Sequence, residues 1–259
     1  MRTTRLTQRA PGRFLRRCDN PLQPVTLRYA DRGVNPRFAT RQPSLHTIVN
    51  KIRMIRTFVF DMGNVLVRFS HERMCEQIGR LCGRTGSETR EILFETGLQW
   101  DFERGRCSER EFHERLERAT CQSFPIEELR HAASDIFIPN DYVAAIVRGL
   151  KSAGYRMVLL SNTSIAHYEF IRARWDFLDP FDELVLSYEV GAIKPESAMF
   201  AAALQAIRCR PEEAFYTDDI PAYVEAGRGC GLDAEVFTDA RTLVEHLSRR
   251  GIDARDRTA

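Results

Sequence analysis

An apolar run that ends in an acidic residue constrains the fold of this chain more than any other feature. Residues 58–60 (Phe-Val-Phe) are all apolar, and Asp61 follows them directly. Such a run, closed by a turn that contains Gly63, is typical of a strand buried on both faces of a parallel sheet. Asp61 is therefore predicted at the carboxyl end of a central strand, where open α/β sheets bind ligands. A carboxylate in this place can act as a nucleophile, hold a metal ion, or simply cap the strand.

The sequence pattern changes twice after this first strand. Residues 70–138 show helical periodicity, including a capping box formed by Ser108 and Glu111. Beyond Pro139, short apolar strands alternate with helices, which predicts an α/β fold with a doubly wound parallel sheet. A simple βαβ unit needs only about 30 residues, so the long helical stretch is predicted to be an insertion. We therefore assign residues 54–69 and 139–250 to an α/β core and residues 70–138 to a helical cap.

The charge is distributed unevenly along the chain. Its 259 residues have a net charge of +2, but residues 1–53 contain 12 Arg or Lys residues and only two acidic ones. This first stretch lacks periodicity and is expected to be a disordered basic extension, either a wrongly assigned start or a disposable tail, with a transit segment as the less favoured reading. Residues 251–259 are expected to form a flexible tail. The remaining sequence is mildly acidic, so we expect no nucleic-acid partner.

Cysteine usage favours a reducing compartment. The chain has seven Cys residues, an odd number, and no C-x-x-C pair. No secretory signal and no long apolar run are visible, so we expect a cytoplasmic protein without a membrane partner. The sequence leaves open whether the protein is a monomer or a homodimer.

Three later stretches repeat the pattern of polar residues at predicted strand ends. They are residues 159–163 (Leu-Leu-Ser-Asn-Thr), 191–195 (Gly-Ala-Ile-Lys-Pro) and 215–219 (Phe-Tyr-Thr-Asp-Asp). Together with Asp61 and its turn, these stretches resemble, in order, the four motifs of the haloacid dehalogenase (HAD) superfamily of hydrolases. The resemblance covers about residues 55–247 and implies a Rossmann-like core with an inserted cap. The Asp-x-Gly-Asn-Val form of the first motif is similar to that of a subgroup that includes sugar-phosphate phosphatases.

The resemblance implies a nucleophile and a metal site. Asp61 matches the aspartate that attacks phosphorus to form an aspartyl-phosphate. Asp61, Asp218 and the main-chain carbonyl of Gly63 match the ligands of Mg²⁺, which prefers hard oxygen ligands. Asp219 matches a further acidic position, which binds the ion through water or holds Lys194. Taken singly, a paired aspartate such as Asp218-Asp219 could equally be a helix N-cap.

The resemblance also implies a phosphate-binding set. Ser161 matches a small hydroxyl that hydrogen-bonds the phosphoryl oxygens, and Asn162 stands beside it. Lys194 would neutralise the nucleophile and the transition-state charge. Only three Lys residues occur in the chain against 35 Arg residues, which suggests that Lys194 needs a compact ammonium. The structural alternatives are a strand terminator for Ser161 and a solvated turn residue for Lys194.

The sequence departs from the family pattern at two positions. The family's phosphatases usually carry an acidic residue two positions after the nucleophile, where it protonates the leaving group; this chain has Gly63 there. The proton could come from water or from the cap, with Asp101 and Glu103 beside Trp100 as candidates, although Trp100 and Phe102 themselves are expected in the core. The second departure is Tyr223, at a position where the family often has Asn.

These observations predict a Mg²⁺-dependent phosphatase that acts on a small phosphomonoester such as a sugar phosphate. Two alternatives stay open. A metal-independent 2-haloacid dehalogenase would use the same aspartate to attack carbon. A binding or regulatory protein of the same fold would be catalytically impaired, because position 63 carries Gly in place of the general acid.

Overall fold

The structure is a computed structural model and describes residues 54–254. The predictions made for residues 1–53 and 255–259 lie outside the described residues. The described strands, in chain order, are β1 (Thr57–Phe60), β2 (Val67–Arg68), β3 (Ile138–Pro139), β4 (Arg156–Ser161), β5 (Glu183–Leu186), β6 (Ala214–Asp218) and β7 (Asp233–Val236).

Within residues 54–254, five of these strands form one parallel sheet in the order β5-β4-β1-β6-β7. The central strand β1 is buried along its whole length, as its continuous apolar run requires. Phe60 at its end lies opposite Leu159 of β4 and Thr217 of β6. The carboxyl ends of the three central strands therefore meet at one edge of the sheet. The predicted α/β class with a doubly wound parallel sheet is confirmed.

The segment between β2 and β3 is helical. Strands β2 and β3 pair antiparallel at its two ends, with Val67 opposite Pro139. The elements between them are α1 (His71–Cys82), α2 (Gly86–Arg90), a π-helical turn (Glu91–Glu95), α3 (Leu98–Glu103), α4 (Glu109–Thr120) and α5 (Ile126–Ser134).

The helices of this segment have an apolar core of their own, in which Ile78, Leu93 and Leu116 are fully buried. The predicted capping box of Ser108 and Glu111 is present at the start of α4. We refer to residues 70–138 as the cap, with boundaries that remain those of the sequence prediction.

Further helices cover both faces of the sheet. They are α6 (Asp141–Ser152), α7 (Ile165–Arg174), α8 (Ser187–Val190), α9 (Ser197–Ala206), α10 (Pro221–Gly229) and α11 (Ala240–Ser248), with a 3₁₀ turn at Pro211–Glu213. On one face, Phe58 and Phe60 pack in a cluster with apolar residues of α6 and α11. On the other face, Val59 packs with apolar residues of α9 and α10.

The end of the described chain differs from the sequence prediction. Residues 251–259 were expected to form a flexible tail, but Ile252 and Ala254 are buried in the core cluster. Ile252 also donates its backbone N–H to the carbonyl of Leu247 in α11. The first residues of the predicted tail therefore belong to the core, because apolar side chains that follow the last helix complete its packing.

No helix among residues 54–254 is both long enough and apolar enough to cross a membrane. The predicted cytoplasmic location stays a prediction.

Candidate active site

Three carboxylates meet at the carboxyl edge of the sheet. Asp61 follows β1, Asp218 is the last residue of β6, and Asp219 follows it. Each offers one oxygen, and these three oxygens lie within 4.8 Å of one another. The two motifs are more than 150 residues apart in sequence, and they meet because β1 and β6 are neighbouring parallel strands.

This donor set fits a magnesium ion. Three carboxylate oxygens at this spacing are hard ligands, which Mg²⁺ prefers. In the absence of a cation, the three negative charges would repel one another at close range. Asp61 and Asp218 are buried and Asp219 is half-buried, so water would screen that repulsion poorly.

Lys194 partly balances this negative charge. Its Nζ lies 2.7 Å from Oδ1 of Asp61 and donates to Oδ2 of Asp218 at 2.6 Å. It also donates to the carbonyl of Leu160 at 3.0 Å. Only 1% of Lys194 is exposed, so the ammonium is held on all sides by protein atoms rather than by water. From the sequence, Asp219 was the acidic residue proposed either to bind the ion through water or to hold Lys194. In the structure, Asp61 and Asp218 make the contacts to Lys194.

Burial and the neighbouring charges shift the pKa values at this site. Burial raises the pKa of Asp61 to about 7 against the opposing pull of Lys194, and the charge of Asp218 raises it further. Burial alone would lower the pKa of Lys194, but the two carboxylates outweigh it and raise that pKa. Lys194 therefore stays charged, and any further positive charge beside Asp61 would favour the ionised form of its carboxylate.

Asp218 is fixed by donors from three directions. Besides Lys194, the Tyr216 hydroxyl donates to its Oδ2 at 2.6 Å, and the backbone N–H of Ile220 donates to its Oδ1 at 2.9 Å. Asp219 is held more loosely, since the Asn64 side-chain amide donates to its Oδ2 at 3.0 Å. Asp218 is thus rigidly placed, and Asp219 lies at the half-buried rim of the cluster.

Asn162 fixes the loop that carries Lys194. Its Oδ1 accepts from the backbone N–H of Lys194 at 2.7 Å, and its Nδ2 donates to the Lys194 carbonyl at 3.2 Å. Ser161 is fully buried, and its hydroxyl makes a long contact of 3.4 Å with the carbonyl of Asn162. The structure therefore brings both residues beside Lys194. The Asn162 side chain is already engaged, and the Ser161 hydroxyl is weakly bound.

A small cavity of about 130 Å³ opens over Asp61. Core residues line one side and cap residues line the other. The lining comprises Asp61, Gly63, Asn64, Phe69, His71, Trp100, Glu103, Asn162, Lys194, Asp219, Ile220 and Tyr223.

Trp100 and Phe102 of helix α3 were both expected in the core. Phe102 is buried in the cap core, with its ring 4.7 Å from that of Phe112, as expected. The expectation that Trp100 belongs to the core is wrong, since this half-buried side chain lines the cavity. Helix α3 turns one face towards the cap core and the other towards the sheet edge, so neighbouring aromatic residues differ in role.

The two candidate acids of the cap are placed differently. Asp101 is paired at the surface with Arg106 and Arg115 at 3.9 Å and 3.4 Å. Glu103 lines the cavity and is 6% exposed, and Gln99 donates to its Oε1 at 2.9 Å. Burial raises the pKa of Glu103 to about 7, against a hydrogen bond from Gln99 and the charge of Arg104.

Sequence reasoning missed Ser187, which joins the cap to the core. Its hydroxyl lies 2.7 Å from the carbonyl of Glu103 and 2.9 Å from that of Thr163, so the two acceptors share one proton. It also accepts from the Thr163 backbone N–H at 2.8 Å. The available signal was a small hydroxyl residue directly after a strand end, the same signal that drew attention to Ser161.

The family model for haloacid dehalogenase-like hydrolases matches residues 55–231. The chain belongs to this family, as its four motifs indicated, and it is a hydrolase of that class.

Two curated relatives of the chain are phosphatases by name. D-ribitol-5-phosphate phosphatase of Bacteroides thetaiotaomicron is 27% identical over 188 residues, which is 70% of this chain and 90% of that enzyme. Glyceraldehyde 3-phosphate phosphatase of Methanothermobacter thermautotrophicus is 34% identical over 110 residues, 40% of this chain and 47% of that enzyme. The fold is similar to that of a HAD family enzyme of B. thetaiotaomicron crystallised with magnesium and inorganic phosphate. That pair has a TM-score of 0.65 and 21% identity, with 71% of this chain and 94% of the other covered.

Proposed function

We propose that this protein is a Mg²⁺-dependent phosphatase that hydrolyses a small phosphomonoester through an aspartyl-phosphate on Asp61. The observation that carries the proposal is the convergence of Asp61, Asp218 and Asp219, with oxygens within 4.8 Å of one another, around the buried ammonium of Lys194. A dianionic phosphate can approach a carboxylate nucleophile only where positive charge is concentrated. Lys194, together with a magnesium ion held by the carboxylates, would supply that charge here.

Each of these residues has a defined part in the proposed reaction. Asp61, Asp218 and the carbonyl of Gly63 would hold the magnesium, with Asp219 at the rim of the carboxylate cluster. The ion, when bound, supplies positive charge next to the phosphoryl group. The carboxylate of Asp61 attacks phosphorus. Lys194 orients Asp61 and balances charge that develops on the phosphoryl oxygens. Ser161, whose hydroxyl is weakly bound, would donate to a phosphoryl oxygen, and Asn162 would keep the Lys194 loop in register.

The substrate is proposed to be a small phosphorylated metabolite. The cavity of about 130 Å³ is smaller than the roughly 300–1,000 Å³ of sites for drug-sized ligands. The relatives named above act on a pentitol phosphate and a triose phosphate by their names. A short sugar or polyol phosphate satisfies both observations.

The test is release of inorganic phosphate from ribitol 5-phosphate, glyceraldehyde 3-phosphate and p-nitrophenyl phosphate, with Mg²⁺ or with EDTA. We expect turnover with Mg²⁺, its loss in EDTA, and its loss in Asp61→Asn. The control is Asp179→Asn, which alters an exposed carboxylate paired with Arg172 and should match the wild type.

Two results would contradict the proposal. Halide release from 2-haloacids that survives EDTA, without phosphate release, would indicate a dehalogenase. Binding of these phosphates without turnover would indicate a binding protein.

A further inference from the structure

Phe69 occupies the space that an acidic side chain at position 63 would need. A Cβ built on Gly63 would lie 2.8 Å from Cε1 of Phe69, closer than non-bonded carbon atoms approach. The Phe69 ring packs against His71 at 4.9 Å and Phe137 at 6.1 Å between ring centroids, so neighbouring rings restrict its movement. Phe69 itself lines the cavity. The proton for a leaving group therefore has to come from elsewhere, either from water or from a residue of the cap.

We propose that Glu103 of the cap is the general acid that protonates the leaving oxygen. This inference rests on the proposed phosphatase function. Glu103 lines the same cavity as Asp61 and Lys194, and within residues 54–254 it is the cap carboxyl that does so. Gln99 donates to its Oε1, which leaves Oε2 as the oxygen that carries the acidic proton.

The surroundings of Glu103 favour its protonated form near neutral pH. Burial raises its pKa to about 7, which is close to the ideal value for an acid that works at neutral pH. The charge of Arg104 and the hydrogen bond from Gln99 act in the opposite direction. The titratable side chains that share the cavity with it are Asp61, His71, Lys194, Asp219 and Tyr223.

The backbone at Glu103 is anchored to the core. Ser187 contacts the Glu103 carbonyl at 2.7 Å, and the next residue, Arg104, donates from Nη2 to Oε1 of Glu196 at 2.6 Å and from Nε to the same oxygen at 3.0 Å. Glu196 lies two residues after Lys194. These contacts hold the end of α3 against the loop that carries the catalytic lysine, so the cap presents the acid at a fixed place over Asp61.

The proton moves in two steps. As Asp61 attacks phosphorus, the bond between phosphorus and the leaving oxygen breaks, and Glu103 transfers its proton to that oxygen, which leaves as an alcohol. The resulting Glu103 carboxylate then takes a proton from the water that attacks the aspartyl-phosphate. Inorganic phosphate and free Asp61 result, and Glu103 is again protonated.

The test compares leaving groups in Glu103→Gln. p-Nitrophenolate is a stable anion and leaves without a proton, whereas the leaving groups of phenyl phosphate and ribitol 5-phosphate need one. We expect kcat/KM to fall about 10²- to 10³-fold for phenyl phosphate and ribitol 5-phosphate, and less than about tenfold for p-nitrophenyl phosphate. Phenyl phosphate has no sugar hydroxyl, so a role for Glu103 in binding hydroxyls would not reproduce this pattern. Residual turnover of p-nitrophenyl phosphate also shows that the variant is folded.

The pH dependence gives a second readout. In the wild type, kcat/KM for phenyl phosphate should fall above about pH 7, where Glu103 loses its proton, and this fall should be absent in Glu103→Gln. Asp101→Asn, two residues away and at the surface, is the matched control and should keep the wild-type profile.

Two results would overturn the role of Glu103 while leaving the phosphatase proposal intact. One is an equal loss of kcat/KM for phenyl and p-nitrophenyl phosphate in Glu103→Gln. The other is a pH profile of Glu103→Gln that falls at high pH as the wild-type profile does. Absence of phosphate release by the wild type from all three esters would overturn the phosphatase proposal, and the role of Glu103 with it.

Discussion

At the scale of single residues, Lys194 best links the sequence to the proposed chemistry. A chain that uses Arg for nearly all its cations has a Lys at a buried position where its ammonium contacts two carboxylates and a carbonyl. The guanidinium of Arg is planar and larger, with donors in a fixed fork, so it cannot reproduce three contacts that converge on one nitrogen.

Replacing Lys194 should therefore abolish activity even when the charge is kept. We expect both Lys194→Arg and Lys194→Met to lower kcat by at least about 10²–10³-fold. Lys194→Met should also lower the free energy of unfolding by about 3–5 kcal/mol, because two buried carboxylates lose their counter-charge. Phosphate release and urea unfolding measure the two effects.

Lys151→Arg is the matched control, since Lys151 pairs with Asp182 where both side chains are partly exposed. It should change neither activity nor stability appreciably. Activity close to that of the wild type in Lys194→Arg would contradict the need for a compact ammonium.

Residue-level prediction from the sequence worked where a motif carries the chemistry and failed where packing decides. Asp61 and Asp218 could be picked out because each stands at a strand end, and Lys194 because it belongs to the Gly-Ala-Ile-Lys-Pro stretch, which the structure places between α8 and α9. The clash between a side chain at position 63 and Phe69 could not, because it depends on how the chain turns back after the first strand. The engagement of Asn162 with the Lys194 backbone is likewise a property of two loops meeting in space.

At the scale of elements, helix α3 decides how the cap meets the core. It is only six residues long, and its end is held by Ser187 and by the pair of Arg104 and Glu196. Gly105, two residues after the end of α3, has a positive φ of 64°. A Cβ at this position would lie 2.2 Å from the carbonyl oxygen of Tyr188. The chain passes so close to α8 at this point that only glycine fits.

Removing the Ser187 hydroxyl should loosen this junction. We expect Ser187→Ala to lower the free energy of unfolding by about 1–3 kcal/mol, because the buried N–H of Thr163 loses its acceptor. We also expect kcat/KM for phenyl phosphate to fall roughly tenfold, with a smaller loss for p-nitrophenyl phosphate, because Glu103 is less well positioned.

Ser152→Ala is the control, because Ser152 is exposed on α6 and donates only to its own helix. Equal losses on both esters in Ser187→Ala would show that the contact stabilises the fold without positioning the acid.

Strands and helices of the core were predictable to within a few residues, because each strand is a short apolar run and each helix is periodic. The sequence pattern predicts helices over residues 165–174 and 221–226. The structure has the first as Ile165–Arg174, and the second runs three residues further, as Pro221–Gly229. The π-helical turn at Glu91–Glu95 had no sequence signal. From the sequence, Pro125 is predicted as the first residue of a helix, a position that proline favours. In the structure it is the N-cap of α5, since its ψ of 138° is extended.

At the scale of the whole molecule, the parallel sheet is what joins distant motifs into one site. The order β5-β4-β1-β6-β7 places the ends of β4, β1 and β6 side by side. A sequence shows that each motif follows a strand, but the strand order, and hence the distances between motifs, emerges only when the chain folds. The family resemblance implied a Rossmann-like core in which the four motifs form one site, but the strand order comes from the structure.

Binding of magnesium should stabilise the whole fold, because it relieves repulsion among carboxylates in the core. At a Mg²⁺ concentration of 100 Kd, we expect the free energy of unfolding to rise by about 2.7 kcal/mol, measured as a higher melting temperature that EDTA reverses. Asp219→Asn should weaken this response, and Asp179→Asn should keep it. A melting temperature that does not respond to Mg²⁺ would contradict the metal site.

The central claim is that Asp61 becomes phosphorylated during turnover. The most direct measurement is to quench the reaction with ribitol 5-phosphate in acid, reduce it with borohydride, and map the peptides by mass spectrometry. An acyl phosphate on Asp61 is reduced to homoserine, so we predict homoserine at position 61, dependent on both substrate and Mg²⁺. Phosphate release with Asp61 left unchanged, or with the reduced residue at another position, would contradict the account.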